Sequence, residues 1–152
     1  MGHFVTGIIT NKSEAESIAA QIPFKLFYDL NQNFVIFPLT DELIDKHIPS
    51  PQNFNIEQFT YLSEELADIL SQASSGKSIA YIETEYFGGE GNQSAIVFEN
   101  GKVIFGPKQA DIGPISEALK KIGAIKKHGD RDEFESIGLA GFRSCEDLLD
   151  NE

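Results

Sequence analysis

Asn100-Gly101 separates two apolar, β-branched runs, Gln93 to Phe98 and Val103-Ile104-Phe105. A two-residue connection of this kind closes a type I′ turn, because both central positions need positive φ and Asn and Gly tolerate it. The pair commits its flanking runs to an antiparallel hairpin. A second hairpin is expected from Phe24 to Tyr28 and Phe34 to Pro38, joined by Asp29-Leu30-Asn31-Gln32-Asn33, residues that accept turn geometry. Hairpins thus outnumber βαβ crossovers, and a sheet built from them is mostly antiparallel.

The other elements fit around these strands. His3 to Ile9 and Ser78 to Phe87 read as strands, the latter broken by Gly88-Gly89-Glu90-Gly91-Asn92. Ser13 with Glu16 forms a capping-box pattern that predicts a helix over 14–21, with Ala15, Ile18, Ala19 and Ile22 on its apolar face. Thr40 is the expected cap of a short helix with Asp41 and Glu42 in its first turn. Ser50-Pro51-Gln52-Asn53 is a break. Ile56, Phe59, Leu62, Leu66, Ile69, Leu70 and Ala73 recur at helical spacing and predict a helix over 56–73, capped by Asn55 with Gln58 reaching back. A last helix is expected over 114–122, ended by Gly123. The fold expected is α+β: about six strands in a mostly antiparallel sheet with helices packed on one face. One compact domain over 1–152 is expected, with 130–152 an acidic C-terminal segment docked on the body.

Composition narrows the function. With 41% hydrophobic and 24% charged residues in a chain of 152, a packed core is feasible and disorder is not expected. No apolar run approaches the roughly 18–20 residues of a membrane span. Residues 1–6 lack the basic and apolar regions of a secretory leader, and Cys145 is the single cysteine, which fits a reducing cytoplasm. The net charge of −12 disfavours nucleic acid, whose phosphates need clustered Lys and Arg. Residues 41–68 carry seven acids against Lys46, and residues 130–152 carry eight against Arg131 and Arg143. If those zones merge in space, the surface attracts a basic protein. On charge alone, solubility is the competing explanation.

The segment from Tyr81 to Ala95 is the most informative. Strand alternation puts Glu83 and Glu85 on one face, roughly 6.5–7 Å apart along the strand. That spacing would suit a carboxylate pair or a shared metal. No histidine lies nearby in sequence, since His3, His47 and His128 are scattered, and no second carboxylate motif completes a metal shell. Gly89-Glu90-Gly91-Asn92-Gln93-Ser94 mimics a phosphate loop, but a strand follows where a helix N-terminus is required. Cys145 precedes Glu146 and Asp147, which oppose a thiolate. No G-x-S-x-G is present. Tyr86 and Phe87 beside glycines offer aromatic anchors on adaptable backbone, and Asn92 and Gln93 add hydrogen-bonding groups.

The run Glu83-Thr84-Glu85-Tyr86-Phe87-Gly88-Gly89-Glu90-Gly91-Asn92-Gln93-Ser94-Ala95 resembles a motif of small bacterial proteins of unassigned function. Ile112 to Leu119 and Asp132 to Leu139 are similar to the same group. The resemblance implies no catalytic residue. In size and acidity the chain is also similar to immunity proteins of contact-dependent and polymorphic toxin systems. That likeness implies a cytoplasmic, non-enzymatic binding module without cofactor, which occludes a basic, nuclease-like toxin domain. The first interface candidates are Glu83, Glu85, Glu90, Tyr86 and Phe87, with Asn92 and Gln93. Glu64, Glu65 and Asp68 come second. The alternatives are a small hydrolase or metal-dependent enzyme using Glu83 and Glu85, with His128 as a further candidate, and a homodimer paired at exposed hairpin edges.

Overall fold

The structure is a computed structural model that describes residues 2–48, 56–88 and 90–149. The expected break at 50–53 and the Asn55 cap lie outside them.

The fold is α+β, and its strands pair antiparallel. In chain order, the strands are β1 (Gly2–His3), β2 (Thr6–Asn11), β3 (Tyr28–Asp29), β4 (Phe34–Pro38), β5 (Ser78–Phe87), β6 (Glu90–Glu99) and β7 (Lys102–Ala110). The order across the sheet is β3-β4-β2-β5-β6-β7. The first strand stands outside that path, pairing with β5 beyond the end of β2. Helices α1 (Ala15–Ala19), α2 (Asp41–His47) and α3 (Glu64–Ala73) precede β5, and α4 (Pro114–Lys121), α5 (Glu133–Ser136) and α6 (Cys145–Leu149) follow β7.

Helices cover both faces of the sheet, not one. Successive residues of β5 and β6 are apolar and buried, so each face needs a cover. Ile8, Tyr81, Ile96 and Phe98 share one core with Ile18, Leu66 and Leu70. Ile9, Ile82, Ala95 and Val97 share the other with Ile115, Leu119, Ile137 and Leu139. The C-terminal segment belongs to this second layer.

The Asn100-Gly101 turn forms with φ of 53° and 77°, the positive pair a type I′ connection requires. Thr40 caps α2, its Oγ1 accepting the Leu43 N–H at 3.1 Å. Four expected boundaries move. Residues 12–14 form a 3-10 turn that feeds directly into α1, so Ser13 lies inside it and caps nothing. Residues 24–27 are not a strand: Phe24 is buried and Lys25 donates to the Ile22 carbonyl at 2.7 Å, wrapping the chain past the end of α1. Helix α3 begins at Glu64, with Ser63 accepting the Leu66 N–H at 3.1 Å. Phe59 and Leu62 are buried at helical spacing without being helical. Finally, β6 begins at Glu90, so Glu90, Gly91 and Asn92 belong to the ladder, while β5 ends at Phe87 as expected and Gly89 lies outside the described residues. Pairing between β5 and β6 reaches Phe87↔Glu90 and includes Tyr86↔Gly91 and Glu85↔Asn92. A Cβ on Gly91 would stand 1.9 Å from the Glu85 carbonyl oxygen, so glycine is required by close backbone approach.

Candidate functional site

The alternation along β5 places Glu83 and Glu85 on one face and Thr84 and Tyr86 on the other, as the strand period implies. Their environments then diverge. Glu83 is 7% exposed. Its Oε1 accepts the Thr60 N–H at 2.7 Å; its Oε2 accepts the Tyr61 N–H at 3.0 Å and the Tyr81 hydroxyl at 2.8 Å. The carboxylate therefore pins the segment before α3 onto the sheet. This competes with helix formation before α3: the amides of Thr60 and Tyr61 are directed at Glu83 rather than along a helix axis. Burial pushes the Glu83 pKa up, against the hydrogen bonds that favour its charged form. Glu85, one pleat further on, is exposed.

Above this pair lies a cleft of about 390 Å³. Asp41 enters it from the first turn of α2, Tyr61 and Thr60 from the pinned segment, and Glu83 and Glu85 from β5. Asn92 and Ser94 come from β6, Gln109 from β7, and Cys145 and Glu146 from α6. Phe4, between β1 and β2, completes a rim where it is 48% exposed. Gln109 donates to Asn92 Oδ1 at 3.2 Å, and the Ser94 hydroxyl donates to the Gln58 carbonyl at 2.6 Å. Burial raises the Tyr61 phenol pKa, and Asp41, Glu83 and Glu85 add to the effect, so these carboxylates converge on one ring.

Among the described residues, the lining holds Asp41, Glu83, Glu85 and Glu146 and no Lys, Arg or His. Ion pairs among the described residues, such as Lys12–Asp29, Lys108–Glu117 and Arg131–Glu135, lie elsewhere. Asp41 belongs to one acidic zone of the sequence and Glu146 to the other, so each zone contributes one carboxylate to this cleft. Cys145 sits in its wall but is 4% exposed, and its Sγ donates to the Thr6 carbonyl at 3.2 Å. Burial first, then Glu146, raises its pKa, so it is a packed thiol rather than a nucleophile. Among the described residues, no group of three or more His, Cys, Asp or Glu is arranged to hold a metal.

The remaining sequence candidates scatter. Gln93 is buried on the opposite face, where its Oε1 accepts the Ile115 N–H at 2.7 Å and its Nε2 donates to the Tyr86 hydroxyl at 3.0 Å. Tyr86 in turn donates to the Asp111 carbonyl. Both residues fasten the start of α4 to the sheet. Phe87, 74% exposed, and Glu90 stand at the tip of the β5–β6 hairpin. Glu64, Glu65 and Asp68 are on the outer face of α3, away from the cleft lining. Gln93 thus faces away from the cleft, and Glu83, though in the cleft lining, has its carboxylate committed to internal donors. Sequence reasoning did not single out Asp41, Tyr61, Phe4 and Glu146; only chain folding brings them to Glu85. The chain matches no protein-family model, no curated protein and no solved structure.

Proposed function

We propose that the chain is a protein-binding module of the immunity type, which takes a basic partner domain at the acidic cleft. One observation carries the reading: carboxylates from α2, β5 and α6 line a single concavity in which, among the described residues, there is no basic side chain. Such a cleft concentrates negative potential, attracts a cationic protein and repels an anionic one. Phe4 and Tyr61, partly exposed on its rim, supply apolar contact beside the charges. Inhibition would be steric, with the carboxylates of Glu85, Asp41 and Glu146 standing in for the phosphates of a nuclease substrate.

The hydrolase alternative needs a working carboxylate at Glu83, and that group is committed to the Thr60, Tyr61 and Tyr81 donors. The homodimer alternative would use β7. This strand is an edge of the sheet, with Val103 and Ile104 50% and 41% exposed. Lys102, Lys108 and Pro107 on the same strand are residues that guard an edge against pairing.

The test is capture of cytosolic partners by the chain and by a variant carrying Asp41→Lys, Glu85→Lys and Glu146→Lys. A basic protein held at low salt, released at high salt and lost from the variant supports the reading. Equal capture by both proteins, or recovery of the chain alone, overturns it. Mass by light scattering decides whether that chain is a dimer.

A further inference from the structure

We propose that His3 is a pH-sensitive latch holding the C-terminal segment, residues 133–149, on the sheet and so keeping one wall of the cleft in place. The inference goes beyond the partner reading and does not depend on it.

His3 lies in β1, paired with Tyr86 of β5. Its ring fills the layer between the sheet and the C-terminal segment, against Phe134 and Phe142, with ring centroids 5.4 Å and 6.2 Å away. Nε2 lies 3.0 Å from the Leu139 carbonyl oxygen, and Nδ1 lies 2.7 Å from Thr84 Oγ1. A carbonyl only accepts, so Nε2 carries the proton of the neutral ring. Nδ1 then accepts from the Thr84 hydroxyl, which itself accepts the Val5 N–H at 2.9 Å.

Protonation reverses this chain. Nδ1 becomes a donor, and the Thr84 hydroxyl hydrogen must turn to the His3 or Val5 carbonyl, at 3.3 Å and 3.5 Å. The new charge sits among phenyl rings. Among the described residues, the charged group acting on the ring is Arg143, of like sign. The carboxylates of the packed elements serve other places: Asp132 Oδ1 accepts the Glu135 N–H at 3.0 Å, and Glu146 lines the cleft. Glu133 faces Lys120 at 3.9 Å, Glu135 pairs with Arg131 at 2.9 Å, and Asp147 accepts the Arg143 and Ser144 amides. Tyr86 of β5 directs its phenol at the Asp111 carbonyl. Burial accordingly lowers the His3 pKa.

A ring released with an undocked segment would titrate near the ordinary value of about 6.5. The undocked state then binds more protons between that pH and the lowered value. Docking is therefore fully favoured above about pH 6.5 and weakens by up to about tenfold per pH unit below it. The consequence reaches the cleft. The Phe4 N–H donates to the Arg143 carbonyl at 2.7 Å, Phe4 bridges to Ser144, and the next residues are Cys145 and Glu146.

The experiment is hydrogen exchange of the full chain between pH 5.5 and 7.5, corrected for intrinsic rates, alongside an NMR titration of the His3 ring. The expected result is loss of protection across 134–147 below about pH 6.5, with α3 unchanged and the loss abolished in His3→Gln. Protection of 134–147 that is flat with pH, or a loss that persists in His3→Gln, overturns the proposal. Should that variant fail to fold, the unmodified chain still decides. A His3 ring that titrates without any change in protection also overturns it.

Discussion

Replacing Glu83 by alanine deletes the acceptor that ties the segment before α3 to the sheet. The Tyr81 hydroxyl is fully buried and loses the Glu83 oxygen at 2.8 Å, which costs about 1–3 kcal/mol. The Thr60 and Tyr61 amides lie in exposed residues and pass to water, at roughly 0.5–1.5 kcal/mol each. Removal of a desolvated carboxylate offsets part of this, because burial outweighs the hydrogen bonds in setting the raised pKa of Glu83. The expected net loss is about 3 kcal/mol, or roughly 6–12 °C in melting temperature for a chain of this size. Urea unfolding followed by circular dichroism measures it. Adding Tyr81→Phe to Glu83→Ala removes the stranded hydroxyl and should restore about 1–3 kcal/mol. The pH dependence has a definite sign. The folded state holds the Glu83 proton to higher pH than the unfolded chain, so it binds more protons just above the ordinary glutamate range. The contribution of Glu83 to stability is greatest below that range and declines as pH rises through the folded value. The wild-type curve minus the Glu83→Ala curve should decline in that window and then level off. Unchanged stability in Glu83→Ala, no restoration by Tyr81→Phe, or a flat difference curve would refute the clamp.

Other substitutions separate turn, cap and surface. Gly101→Ala forces a side chain into φ of 77°, with nothing nearer to its Cβ than 3.8 Å. The cost of about 1–2 kcal/mol is therefore conformational, and urea midpoints should show it. Gln93→Ala strands the Ile115 N–H at the start of α4, and should cost about 1–3 kcal/mol, while Glu90→Ala on the exposed hairpin tip stays within about 0.5 kcal/mol by the same assay. Cys145 should react with a thiol reagent far more slowly in the native chain than in urea; equal rates would contradict its burial.

Local chemistry was legible in the residues. The Asn100-Gly101 turn, the Thr40 cap, the span of β5 and the opposed faces of Glu83 and Thr84 each follow from a few adjacent side chains. Helices on both faces correct the expectation of one covered face: the consecutive buried residues of β6 alternate between two cores, each with its own helices. The reading failed where a distant group competed with a local pattern. Ile56, Phe59 and Leu62 carry a helical period, yet the amides of Thr60 and Tyr61 bind a carboxylate 23 and 22 residues away. Gly91 looked like a loop residue because sequence alone does not reveal a carbonyl pressed against its Cα.

Sequence alone determined the α+β class, the antiparallel hairpins and the excess of acid, because each depends on spacing or on counting. Tertiary structure decided which acids meet. It buried Glu83 and Gln93 as fastenings, left Glu85 open, and brought Asp41 and Glu146 into the same cleft lining from widely separated parts of the chain. Charge is additive along a sequence, but a cleft is made of side chains whose proximity depends on every strand pairing between them.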